Sequence, residues 1–532
     1  MRKISNLFGS RITSQTTSLD HRESASRSIN TLVSAEKISF RSFLSERPNR
    51  RYLFIAIVSS VIQFLIFKIF YPFPDFISDS YSYIATNLYH MDVNLWPIGY
   101  SKFLMLIHKI SHSDTFLIAV QYFLLQSSLA YLFFTVQYLY RLQKSTGRAL
   151  FIFLFFNPIS LYLSNAVLSD TIFAALTITY FVQFIWMFYK PTIWQVLLQG
   201  VIVGLCFTIR YTAIYYPLIS LAGMLLSTHK PRVKILGFLL GIVLMVPFYI
   251  YTSVSTKKLT GTAEFSVFGG WQIANNALYM YSHIEVDSNN IPAETRSLDR
   301  LTRQFFRQVH PPQQELSALP GTYFIKVPYA ILKPYMAARY SYDNPVDQFT
   351  SWGKVSPIFN KYGTYLITHY PISFFKYYLW MNAKNYFLPH LEKFAVYNLE
   401  VKTVPTNVQD WFDYITPDIS SKASATFQGK LFFAFPMIFM ALNVYFAWTI
   451  LWLLFSGRFK NLPPNIKKGV YLTATFMTVN FAFSVFATPV VLRYQMMPMI
   501  LLFTYSSLLF EIPDTVGKNI DNRLKTRLPA TI

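Results

Sequence analysis

Asp75 and Asp79 stand just after the first long apolar run of the chain, in the stretch Asp75-Phe76-Ile77-Ser78-Asp79-Ser80-Tyr81-Ser82-Tyr83. Carboxylates set among aromatics and close to hydrocarbon are costly unless they work or find partners. If the stretch is helical, Asp79 and Tyr83 are four residues apart and share a face. A carboxylate there could act as a general base towards a hydroxyl, or hold a cation. Asp170, Arg210 and Arg493 recur at the ends of other apolar runs, and guanidinium groups pair well with phosphate oxygens. Each residue also has a structural use. Ser78-Asp79-Ser80 and Ser169-Asp170-Thr171 precede apolar helical patterns and would serve as N-caps. Asp75 follows Pro74 and suits a turn. The arginines would snorkel to headgroups, and the whole set would also work as structural ion pairs. His283, His310, His369 and His390 are scattered without metal-ligand spacing, which weakens a zinc site. Walker, GxGxxG and GxSxG patterns are missing, which argues against nucleotide binding and serine hydrolase chemistry.

The elements that must position these residues are membrane spans. The chain of 532 residues is 53% hydrophobic and only 14% charged, with mean hydropathy +0.32, where a soluble protein carries roughly 25% charged residues. Apolar runs cover about 52–71, 115–140, 148–163, 167–188, 193–209, 212–227, 233–254, 430–455, 469–488 and 492–510. The expected fold is an all-α polytopic membrane protein of about ten transmembrane helices. Net charge +22 does not mean nucleic acid, because Lys and Arg concentrate in the tails and in short loops. With the N-terminal tail in the cytoplasm, Arg141, Lys144 and Arg148 fall on that side. So do Lys190, the Lys230–Lys234 loop, Arg458 to Lys468 and the C-terminal tail. Both termini are therefore expected to be cytoplasmic. Cys206 lies within a span and offers neither a disulfide nor a metal cluster.

Five stretches follow. Residues 1–50 read as a disordered basic cytoplasmic tail, 51–255 as an N-terminal transmembrane core and 256–429 as a large extracytoplasmic or interfacial segment. Residues 430–511 read as C-terminal transmembrane helices and 512–532 as a cytoplasmic tail. The outer loop 72–114 holds Tyr100–Ile110, too short to span and suited to lying in the interface. The segment 256–429 shows no soluble-domain core of its own, and its polar residues 284–320 suit a mobile lid. Its aromatic stretch 357–388, with Tyr365, Tyr370, Phe374, Phe375, Tyr377, Tyr378 and Trp380, suits the headgroup layer.

Four motifs in this order resemble the GT-C superfamily of polytopic glycosyltransferases, in its bacterial protein-mannosyltransferase-like and lipopolysaccharide-sugar transferase-like branches. They are Asp79-Ser80-Tyr81-Ser82-Tyr83-Ile84-Ala85 with Pro97-Ile98-Gly99-Tyr100, and Asn157-Pro158 followed by Leu168-Ser169-Asp170-Thr171-Ile172-Phe173. The others are Gly204-Leu205-Cys206-Phe207-Thr208-Ile209-Arg210-Tyr211-Thr212-Ala213 with Pro217, and Val491-Leu492-Arg493-Tyr494-Gln495-Met496-Met497-Pro498. The resemblance covers about 52–255 and 430–510. It implies a polyprenyl-phosphate sugar donor, a lipid, glycan or protein acceptor, and transfer on the extracytoplasmic face of a bacterial plasma membrane. It makes Asp79 the catalytic base, with Asp75, Tyr83, Asp170, Arg210, Arg493 and Tyr494 binding substrate. One departure is Ser80, where many relatives carry a second acid next to Asp79. That leaves a second carboxylate and a divalent cation open, and no cofactor is assigned. A lipid-linked glycan flippase or transporter, or an oligosaccharide ligase or polymerase, would use the same lipid-linked substrates.

Overall fold

A computed structural model of the chain describes residues 39–309, 321–487 and 489–525, with side chains as far as Glu511. The chain divides into two compact units, Met1–Val58 and Ser59–Ile532. In the first, the Ser39 side chain accepts from the Ser42 N–H and caps α1 (Phe40–Ser45). The tail expected over 1–50 lies outside the described residues up to 38, and so do 310–320 of the expected lid and 526–532 of the C-terminal tail.

Among the described residues there is no strand, only three isolated bridges between extended stretches. Seven helical stretches are long and apolar enough to cross a membrane, the build of an all-α polytopic membrane protein. They are α2 (Arg47–Phe70), α5 (Asp114–Tyr140), α6 with α7 (Lys144–Ser164), α8 (Asp170–Tyr189), α11 (Pro231–Thr260), Phe427–Phe455 and α19 (Pro464–Ala487). Among the described residues these seven do not confirm the expected count of about ten. The helix α9 (Ile193–Ile209) has 17 residues, about 25 Å at 1.5 Å per residue and short of a ~30 Å hydrocarbon core. It stops where Arg210 turns extended, and α10 (Tyr216–Leu226) follows a tight turn. The last expected span belongs to α20 (Met496–Lys525), a helix of 30 residues that continues past 511 into the expected tail.

Packing sets these helices apart. The apolar window of α8 is 78% buried inside the protein, against 22% in α2 and 17% in α11. α8 is therefore the axis of the bundle, and the other two turn their apolar faces outward. Between α6 (Lys144–Phe155) and α7 (Pro158–Ser164) the chain breaks at Asn157-Pro158. There the Asn157 carboxamide oxygen caps the Ile159 N–H at 3.0 Å and Pro158 takes the first helical turn.

Two short helices follow α2, namely α3 (Ser78–Leu88) and α4 (Gly99–His108). α4 buries Tyr100, Leu104 and Ile107 and leaves Leu106 exposed, too short to span as expected. A β-carbon on Gly99 would run into the Thr208 carbonyl near the end of α9, so a residue without a side chain lets α4 seat there.

The segment 256–429 corrects the sequence reading, because much of it has a core of its own. Buried side chains from α12 (Val267–Leu278), α13 (Arg296–Gln308) and α14 (Pro345–His369) form one cluster with Phe374 and Tyr378. Trp271 stacks on Trp352 at 3.8 Å between ring centres. The aromatic stretch divides accordingly. Tyr365, Phe374 and Tyr378 are buried, while Phe375 and Trp380 are exposed beside Ile372. Sequence composition hides this division, since the same residue types serve a core and a membrane interface.

Candidate functional site

Two bridges of extended backbone assemble the site. After α2 the chain runs beside the loop that leads into α8. Asp75 N–H donates to Asn165 O at 2.8 Å, and Val167 N–H donates to Asp75 O at 3.2 Å. The Phe76 N–H donates to the Asn398 side chain at 2.5 Å, and the Tyr397 hydroxyl donates to Phe73 O at 3.0 Å. A second bridge joins His390 to Val491, with Leu492 N–H donating to His390 O at 2.8 Å. It sets Glu392 against Arg493. Glu392 has φ 50°, a left-handed conformation that residues with a β-carbon seldom adopt.

Arg493 is the hub. Its Nη1 lies 3.2 Å from Asp170 Oδ2, its Nε 2.9 Å from Glu392 Oε2 and its Nη2 3.9 Å from Asp79 Oδ2. Arg210 pairs with the other oxygen of Asp170, so one carboxylate bridges two guanidinium groups. Both cations also sit over the Tyr494 ring, at 4.7 Å for Arg210 and 4.6 Å for Arg493. Lys326 pairs with Glu392 at 3.1 Å, and Lys393 approaches Asp75 at 3.8 Å. Four carboxylates thus face four cations, with no net formal charge.

Polar contacts below the cluster tie its elements together. The Tyr83 hydroxyl shares a 3.1 Å hydrogen bond with Ser169, and its ring meets Tyr100 edge-on at 4.7 Å. The Tyr100 hydroxyl donates to Gln121 Oε1 at 2.7 Å. Gln121 Nε2 in turn donates to Ser164 O and Ala166 O, at 2.9 and 3.1 Å. The α3, α4 and α5 helices are thereby fixed to the loop that carries Asp170.

The electrostatics differ from one carboxylate to the next. Burial raises the Asp79 pKa, with Arg493 opposing and Glu392 and Asp170 adding to the rise. Its side chain is still 19% exposed, and its one ion pair among the described residues is the long contact to Arg493. Burial pushes on Glu392 too, but Arg493, Lys326 and Lys393 outweigh it and hold the carboxyl at about 2. Burial drives Asp75 up and Lys393 down, each opposed by the other. The Lys393 Nζ and one Asp75 oxygen make no hydrogen bond, so burial works against the charged form of each.

The structure brings Asp79, Asp170, Arg210, Arg493 and Tyr494 into direct contact, with Tyr83 joined through Ser169. Asp75 lies in a separate pair with Lys393. Neither aspartate is an N-cap. Asp79 is inside the first turn of α3, and Asp170 opens α8 after Ser169, which makes no capping bond. Sequence reading missed Glu392, Lys393 and Lys326. The signal available for the first two was an acid-base dipeptide just beyond the aromatic stretch. As for a divalent cation, the described residues contain no group of three or more His, Cys, Asp or Glu side chains that could hold a metal. Asp79 and Asp170 both turn to Arg493 instead. These residues do not fit a cation site, and the chemistry below uses none. A comparison with known proteins found no match to a family model, to a curated protein or to a solved structure.

Proposed function

We propose that the chain is a membrane glycosyltransferase moving a sugar from a polyprenyl-phosphate donor to a lipid, glycan or protein acceptor. The reaction is placed on the extracytoplasmic face, with both termini cytoplasmic in a bacterial plasma membrane. The observation that carries the reading is Asp79: a partly exposed carboxylate, made more basic by burial, at the edge of a two-arginine cluster.

The charge balance supports a direct displacement. Asp79 takes the acceptor hydroxyl proton as that oxygen attacks the anomeric carbon. The bond from that carbon to the phosphate oxygen breaks, and the electron pair leaves with polyprenyl phosphate. Protonation removes the Asp79 charge from Arg493 in the same step. One side of the guanidinium is then released to the phosphate as its charge grows, an electrostatic contribution that is large in a water-poor site. Asp170 holds Arg210 and Arg493 in register, and Tyr494 supports both from one ring. Tyr83 orients the Asp79 helix through Ser169.

The test is transfer of radiolabelled sugar from polyprenyl-phosphate donors to membrane lipid and glycan of the source cell, by purified wild type and Asp79→Asn. The expected result is transfer by wild type and a loss of at least ~100-fold in a folded mutant, the low end for a missing general base. Full activity in Asp79→Asn would move the base elsewhere. Donor binding without transfer, under any acceptor, would overturn the enzyme reading in favour of a flippase or transporter. Transfer of a preassembled oligosaccharide would make the enzyme a ligase or polymerase.

A further inference from the structure

A cavity of about 620 Å³ lies in the 256–429 segment, and none of the ion-cluster residues lines it. Its volume is within the usual range for small-molecule sites, roughly 300–1,000 Å³. Tyr279, Tyr281, Phe306 and Phe324 give it an aromatic wall. Arg303 is built into it rather than lying loose. Its Nε donates to the buried Asp299 at 2.6 Å and its Nη2 to Val286 O at 2.6 Å. The Tyr281 and Tyr362 hydroxyls both donate to Asp299, each at 2.9 Å. Among the described residues the Arg303 Nη1 makes no hydrogen bond, which leaves its donors for a ligand. One turn further along α13 the exposed Arg307 also lines the cavity, and Glu285 lines it from another stretch.

The lining selects among ligands. Asp299 already balances Arg303, and Glu285 and Arg307 bring opposite charges to the same lining, so a phosphate would meet little net charge. An acyl chain would set the Arg303 Nη1, the Arg307 guanidinium, a carboxylate and the Ser282 hydroxyl against hydrocarbon. A saccharide meets both demands, since its hydroxyls take the polar groups while its C–H faces lie on aromatic rings. One helical turn links the cavity wall to the cluster. Phe324 in that wall and Lys326, which pairs with Glu392, belong to this turn, Tyr323–Lys326.

We infer that this cavity binds the saccharide chain of a glycan acceptor and delivers its growing end towards Asp79. The inference rests on the transferase reading for its role and stands on the cavity alone for its ligand. The test uses the full chain in lipid nanodiscs, with fluorescently labelled short oligosaccharides released from the source cell's envelope by mild acid. The variants are Ser282→Trp, which fills the mouth from an exposed position, and Arg307→Ala, with Lys190→Gln as control. Both cavity variants should bind the oligosaccharides at least ~10-fold more weakly, Arg307→Ala through the loss of one charged hydrogen bond and Ser282→Trp through the space it fills. In the transfer assay they should raise the acceptor KM and leave kcat near wild type. Equal binding by wild type and both variants would overturn the inference, as would a wild type that binds none of the oligosaccharides. If transfer proceeds with an unchanged acceptor KM in both variants, the cavity inference falls and the transferase stands. If oligosaccharides bind here but no sugar is ever transferred, the transferase falls and the saccharide site remains.

Discussion

Helix α8 carries an ionisable residue at each end, and the two ends treat charge in opposite ways. At one end Asp170 is buried and bridges Arg210 and Arg493. At the other, Lys190 is exposed after the last turn. The same contrast runs across the bundle. At the basic end Lys144, Arg148, Lys230, Arg232 and Lys460 are exposed. Lys234 and Lys467 there donate to the carbonyls of Leu225 and Lys460, at 3.0 and 2.7 Å. At the other end Arg493 and Lys393 are buried, and their partners are carboxylates from distant parts of the chain. A solvated cation costs little and is worth little. A desolvated one is tolerable only while its partners hold their places. The basic end can therefore drift in sequence, while the cluster must be kept as a set.

The largest break in that contrast is Arg493→Ala. It leaves Asp170 without one of its two cations and Glu392 without its 2.9 Å partner. Stability should fall by about 3–5 kcal/mol, the usual cost of removing one member of a buried ion pair. Thermal unfolding in detergent measures this, and transfer activity should vanish with it. A loss no larger than that of a surface substitution would mean that the cluster is not the rigid set described here.

Next is Gly99→Ala, which disturbs the cluster without touching a charge. The added carbon meets the Thr208 carbonyl, so α4 must shift from the end of α9 that carries Arg210. Overpacking of this kind costs about 1–3 kcal/mol. The readout is the unfolding midpoint, with the mutant expected to lie below wild type. An unchanged midpoint would show that α4 is free to move and does not clamp the site.

How far the cluster could be read in advance follows from what holds each member. Asp79, Asp170, Arg210 and Arg493 all lie near the ends of apolar runs, and hydropathy with the basic-loop pattern was enough to put them at one end of the bundle. Their partners were harder. Glu392 and Lys393 enter through the His390–Val491 bridge, a backbone pairing between stretches with no shared periodicity. Lys326 arrives on one turn of helix inside the 256–429 segment. The core of that segment was missed for a related reason. Trp271, Trp352 and Tyr378 are residue types that suit a membrane surface equally well, and only packing separates the two uses. The apolar run 193–209 is the observed α9, but Arg210 ends it short of the length of a span.

Acidity sharpens the comparison between Asp79 and Glu392. Asp79 has a pKa raised by burial, so its ionised form, the form a base needs, is lost first as pH falls. Transfer should decline tenfold per pH unit, about 1.4 kcal/mol, below a midpoint above the ordinary carboxylate range. Glu392 works the other way. Its pKa is depressed to about 2, so its pairing stabilises the fold above the ordinary Glu range and is lost only as pH falls towards 2. Activity should therefore fail at a higher pH than folding does. The two are separated by a pH titration of transfer run beside a pH titration of the unfolding midpoint. Coincident midpoints would mean that acid inactivation is unfolding and that Asp79 does not set the limb.

The smallest effect belongs to Lys190→Gln. Lys190 follows the final turn of α8, and its backbone N–H still donates to Trp186 O at 2.8 Å whatever side chain it carries. Its ammonium is exposed and sits at a helix C-terminus, where a cation gains typically 0.3–1 kcal/mol from the helix dipole before screening. Glutamine removes that charge and keeps most of the aliphatic length. The expected change in stability is within about 0.5 kcal/mol, the range for surface substitutions, and transfer should match wild type. Because Asp170 and Lys190 end the same helix, this variant and Arg493→Ala load the two ends of one rigid rod. A loss from Lys190→Gln comparable to that from Arg493→Ala would mean that strain passes along α8. The two ends would then be one coupled system rather than a solvated surface and a buried set.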